Sequence, residues 1–182
     1  MACAALVVGT TSCSGDKPES DGSPSTSAST STSGTPAASN SSSGPEETLP
    51  DLTAAQVVAA FTGKQYKCST DEAYETCSSG LRSVQVLIGT HPRPPVISLQ
   101  AAGPATESTT RLAEFAPEAL ELAHVNPRGQ IVDWLKQQSG KASAQTTFGD
   151  WNVEFSTEAD SEAPGTILTL TDKLCKANCG AE

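Results

Sequence analysis

The six cysteines, at positions 3, 13, 68, 77, 175 and 179, offer the widest choice of chemistry in this chain. A thiol can be oxidised to a disulfide, ligate a metal or take up a covalent group. Cys68 and Cys77 bracket the polar run Ser-Thr-Asp-Glu-Ala-Tyr-Glu-Thr, and Cys175 and Cys179 bracket three residues. Four cysteines permit three pairings. Each of these two pairs flanks a short polar loop, so local pairing is expected; cross-pairing of Cys68 or Cys77 with the C-terminal two is the alternative. Closing a loop of about 10 residues contributes roughly 2–3 kcal/mol by the chain-entropy relation. A four-cysteine zinc site would need paired ligands two to four residues apart. The eight residues between Cys68 and Cys77 are too many. No metal and no cofactor is expected.

Other reactive side chains are few. His91 precedes Pro92, and His124 ends an apolar helical stripe with Leu120 and Ala123. Both read as structural histidines. No Gly-x-Ser-x-Gly turn marks a nucleophile, and no His-Glu-x-x-His or phosphate-cradling Gly-rich loop occurs. Carboxylates gather at Glu158, Asp160 and Glu162 before Pro164-Gly165, and at Asp71, Glu72 and Glu75 between the first cysteines. Each group reads as a solvated loop. In a chain with 4% aromatics, Trp134 and Trp151 are needed as interior filling. No catalytic residue is assigned.

The charge balance narrows the partners. Of 182 residues, 11 are basic and 21 acidic, a net charge of −10. Nucleic-acid binding draws most of its affinity from clustered Lys and Arg, which this chain lacks. No apolar run reaches the roughly 18–20 residues of a membrane-spanning helix.

Ala2 to Val8 are small and apolar, Gly9-Thr10-Thr11-Ser12 follow, and then comes Cys13, after which the chain turns polar. This arrangement resembles the lipobox of bacterial lipoproteins, with Thr10 where an aliphatic residue is usual. The resemblance implies cleavage before Cys13 and a diacylglyceryl group on its thiol. A signal peptide also needs a basic n-region; none precedes Ala2, so residues 1–12 are read as a signal peptide truncated at its start. Residues 14–49 hold 12 Ser and 5 Thr with several Pro and Gly. They lack the apolar surface to offset ordering entropy and are expected to stay unfolded. Residues 13–50 are thus read as lipid-anchor cysteine and tether, about 120 Å if fully stretched. The layout resembles exported lipoproteins of high-GC Gram-positive bacteria, which implies the extracytoplasmic face of the cell membrane.

Residues 51–182 carry 16 acidic and 10 basic residues, net −6, and are long enough for one core. Thr53 and Gln56 form a capping box for a helix over 54–62, closed by Gly63. Strands are expected at 65–68, 83–89, 96–101, 144–148, 151–156 and 166–171, with residues 102–110 as a polar loop. Pro117 is read as the first residue of a helix running to Val125, and Asn126-Pro127 as the start of another through Ile131 and Leu135. The expected class is α+β, an antiparallel sheet with helices on one face and a possible tandem helix-then-sheet repeat. That plan is similar to the secreted β-lactamase inhibitory proteins in architecture alone. The function expected is non-catalytic binding of an extracellular protein or small molecule. An exported hydrolase, or an inhibitor-like module acting on another exported protein, is the alternative.

Overall fold

The computed structural model describes residues 49–158 and 163–180. Cys3, Cys13, residues 14–48, Asp160 and Glu162 lie outside the described residues. Helix α1 spans Ala54–Gly63, strands β1 to β4 span Lys67–Asp71, Tyr74–Ser79, Arg82–Leu87 and Val96–Ala102. Helices α2 and α3 span Ala105–Leu122 and Arg128–Lys136, and β5 to β7 span Ser143–Phe148, Trp151–Glu158 and Gly165–Asp172. The class is α+β, with one antiparallel sheet in the order β1-β2-β3-β4-β7-β6-β5.

Two meanders, β1 to β4 and β5 to β7, meet where β4 pairs with β7. That seam depends on Gly165, opposite Ala102. A Cβ added there would stand 2.9 Å from the Ala101 carbonyl oxygen.

One row of cross-strand partners explains the sheet's two faces. Cys68, Cys77, Val84, Leu99, Leu168, Phe155 and Ala144 stand side by side across all seven strands. Those from Cys77 to Phe155 are fully buried. They share one core with Val57 and Phe61 of α1, Leu112, Phe115 and Leu120 of α2, and Ile131 and Leu135 of α3. Side chains alternate along a strand, so the neighbouring residues form the opposite face.

Helix α1 begins as its sequence dictates, with Thr53 and Gln56 capping each other's backbone N–H groups. Helix α2 overturns an expectation. It starts at Ala105, so the stretch over 102–110 is mostly helix and Pro117 lies in the helix interior. The apolar stripe explains why. Leu112, Phe115, Ala116, Ala119 and Leu120 fall at helical spacing and are all buried, and Ser108 and Thr109 extend the stripe toward the N-terminus. The Ser108 and Thr109 hydroxyls lie 2.6 and 3.2 Å from Thr166 Oγ1 on β7, so polar residues continue a face that apolar ones began. Burial of that long face outweighs the backbone hydrogen bond that Pro117 removes.

Smaller shifts have local causes. The expected strand 65–68 begins at Lys67, because Gln65 has a φ of +67°, outside the β region. Helix α3 begins at Arg128 after a cis Asn126–Pro127 bond, with Pro127 rather than Asn126 at the N-cap, and it ends at Lys136. The segment between the first cysteines is a hairpin, with β2 as a strand that was not expected.

Candidate functional site

The face of the sheet away from the helices runs across all seven strands. Its central row reads Ser69, Thr76, Gln85, Ser98, Thr169, Glu154 and Gln145 across the strands. Ser98 and Thr169 hydroxyls lie 3.2 Å apart, Ser83 donates to Gln100 over 3.3 Å, and Thr147 donates to Asn152 over 3.3 Å. These hydroxyl and amide groups are held by cross-strand bonds yet keep further donor and acceptor capacity. Among the described residues of this face, Tyr74 is the one aromatic.

Two open depressions mark this face. One, of about 310 Å³, is lined by Ser78, Ser83, Gln100 and Ile167, with Glu158 at its rim; the neighbouring Arg82 turns to the other face, its guanidinium 5.3 Å from the Phe115 ring centroid. The other, of about 520 Å³, is lined by Gln145, Thr147, Asn152, Glu154 and Thr171. The second is polar and built from strand residues alone, whose positions the sheet's hydrogen bonds fix; the first also takes in the Gly80-Leu81 turn and Pro164.

A charged centre sits at one end of the sheet. Arg93, in the proline-rich connection from β3 to β4, donates from Nε to Asp172 Oδ2 at 2.9 Å and from Nη2 to Oδ1. Its guanidinium stacks 4.8 Å from the Trp151 ring centroid, with Asp51 and Asp150 each 3.7 Å away. Burial pushes the Asp172 carboxyl up, but hydrogen bonds from Arg93 and the Leu174 N–H outweigh it and hold the group below the ordinary aspartate value. The same pairing raises Arg93 above its own. A planar bidentate pair on an indole is rigid. It ties the β3–β4 connection to the end of β7 and to the segment entering α1. The sequence signal for it is a lone arginine in Pro92-Arg93-Pro94-Pro95, which sequence reasoning passed over.

The histidines stand on either side of this centre. His91 Nε2 lies 3.2 Å from the Asn178 carbonyl oxygen, and His124 Nδ1 lies 2.7 Å from that of Pro50. A cavity of about 390 Å³ joins His91 to Arg93, Asp51 and Asp172, and one of about 360 Å³ joins His124 to Asp51, Asp150 and Trp151. Neither lining includes a serine, and Asp172 is engaged by Arg93. Each histidine joins two chain segments through a backbone carbonyl.

The remaining sequence candidates separate. Cys68 joins Cys77 and Cys175 joins Cys179, with Cα atoms 4.0 and 5.8 Å apart. Glu158 is exposed at the end of β6. Glu75 accepts from Thr70 Oγ1 at 2.7 Å, while Asp71 and Glu72 are exposed at the hairpin turn. Trp151 is buried under Arg93, and Trp134 is half-buried with its ring centroid 6.2 Å from that of Phe148. Tyr66 sits between Phe61 and Phe115, and its buried hydroxyl has no partner among the described residues. Burial raises the Tyr66 phenol above its ordinary value, Arg82 opposes that and Glu118 adds to it.

Comparison with protein-family models, curated proteins and solved structures found no match for this chain.

Proposed function

We propose that this chain is an exported lipoprotein, anchored through a diacylglyceryl group on Cys13 at the extracytoplasmic face of the cell membrane, whose 51–182 domain binds a partner rather than catalysing a reaction. The observation that carries the binding half is the sheet face itself. It crosses seven strands, no helix among the described residues packs on it, and it displays hydroxyl, amide and carboxylate groups held by strand register, with two depressions at its surface. Such groups give directional recognition of a polar ligand or protein surface. In the other candidate centre Arg93 is paired with Asp172, and one ring nitrogen of each histidine, His91 Nε2 and His124 Nδ1, meets a backbone carbonyl. The export half is supported by the lipobox-like residues before Cys13 and by two disulfides, bonds that persist in oxidising compartments.

Two measurements test the two halves separately. Intact mass of the protein from a bacterial membrane fraction should show a chain that starts at Cys13 and carries a diacylglyceryl mass. Retention of residues 1–12 without lipid would sink the anchor. For binding, a photo-crosslinking residue placed at Thr169 or Gln85 should give adducts in cells, while one at Glu107 or Glu121 on α2 should give none. Adducts from the helix positions alone would move the binding surface to the other side of the domain.

A further inference from the structure

The sheet ends in two edges of different character. β1, Lys67–Asp71, carries a charge at each end and continues into Glu72. Charge within an edge strand must be desolvated before another strand can pair with it, and proteins use this to block edge-to-edge association. β5, Ser143–Phe148, has no charged residue and no proline. Its neighbour on one side is β6, and no strand among the described residues lies on the other.

The direction of its free groups follows from the ladder. Thr157 N donates to the Ala142 carbonyl at 2.8 Å, so Ala142 and Thr157 form a hydrogen-bonded pair. Hydrogen-bonded and non-hydrogen-bonded pairs alternate in an antiparallel ladder. Ala144, Thr146 and Phe148 therefore bond to β6, and the N–H and C=O groups of Ser143, Gln145 and Thr147 point outward.

We infer that β5 is a homodimerisation edge, pairing antiparallel with β5 of a second copy of this chain to extend the sheet across a two-fold axis at Gln145. The strand is complementary to itself in this register. Gln145 stands opposite Gln145 of the other copy, where two side-chain amides can exchange hydrogen bonds. Ser143 stands opposite Thr147, so every outward donor and acceptor of β5 is satisfied within β5. Lys141 stands opposite Gly149, beside Asp150. Both charged side chains are exposed, so unlike charges come near each other at each end of the paired strands, with Asp150 also 3.7 Å from Arg93 and Lys141 donating to Gln138. Phe148, half-buried at the edge, gains cover from Ala142 of the other copy. A single strand pair buries less area than a standard interface, which places the dimer in the weak, reversible class. The inference does not depend on the anchor or on what the open face binds.

Sedimentation equilibrium of the oxidised full chain, with Cys3→Ser and Cys13→Ser so that neither lipid nor thiol joins copies, tests it. A reversible monomer–dimer equilibrium is expected. Gln145→Pro removes an outward N–H that the β6 ladder does not use, and should weaken dimerisation at least about tenfold. Should that variant show altered circular dichroism, Gln145→Lys serves instead. It faces Glu154 within one copy and sets two lysines together at the axis. Thr70→Pro on β1 should leave the dimer intact. A parent chain that stays monomeric up to on the order of 1 mM would overturn the inference. So would a dimer that both Gln145 variants leave unchanged, or one that Thr70→Pro abolishes.

Discussion

The two outer hairpins of the sheet solve one problem by different means. β1–β2 offers little apolar surface: along β1 only Cys68 is even half-buried, and along β2 only Cys77 is fully buried. The Cys68–Cys77 disulfide joins directly opposite residues and fastens the hairpin covalently. β5–β6 contains no cysteine. Trp151, Val153 and Phe155 of β6 are buried instead, and a two-residue turn with Gly149 at a φ of +53° closes it. A strand pair with one apolar face is held by the core, whereas a polar pair at a sheet edge needs a cross-link. The difference teaches where the domain is strong for different reasons, and four variants weigh those reasons.

Phe155→Ala should be the most damaging, costing about 3–5 kcal/mol because it empties a fully buried site. Urea melts of both proteins measure it. The double variant Cys68→Ala/Cys77→Ala should cost about 2–3 kcal/mol. Reductant should lower the melting temperature of the parent toward that of the variant; equal melting of reduced and oxidised parent would mean that the polar hairpin holds without its cross-link.

Asp172→Asn loosens the seam between the halves and should cost about 1.5–3 kcal/mol at neutral pH, the worth of a charged hydrogen bond. The Asp172 carboxyl titrates below its unfolded value, so its contribution is present above that value, about 3.9, and is lost as pH falls through the lower, folded one. The gap between parent and variant should therefore close on acidification, as seen in melts from pH 7 downward. Thr53→Ala removes the cap of α1, the helix over the cross-linked hairpin, and should cost about 1 kcal/mol. Thermal melts should show the smallest shift of the four.

The apolar half of the fold was legible in the sequence because its periodicity is written in large side chains. Trp151, Val153 and Phe155 alternate, as do Val84 and Val86, and both strands lie near their expected places. Strand β2 was not legible: Tyr-Glu-Thr-Cys-Ser-Ser buries one residue, so no alternation betrays it. The first turns of α2 were hidden for a related reason. Ser108 and Thr109 are buried through hydrogen bonds to Thr166, a partner 57 or 58 residues away that no local pattern encodes. Pro117 then drew the helix start to the wrong place. The open face, proposed as a binding surface, is not legible in the sequence because its residues come from seven strands and meet only through strand register. The Arg93 centre likewise unites residues near positions 51, 93, 150 and 172.

The proposed anchor would hold the domain by the Arg93 end of the sheet. Asp51, just before α1, and Asn178, in the segment after β7, both contact residues 91–93. A linker joining those two points would be short, and the chain could then be reopened at the exposed Gly80-Leu81 turn. The resulting circular permutant would keep the strand order of the sheet while hanging from its opposite end, turning over which rim faces the support.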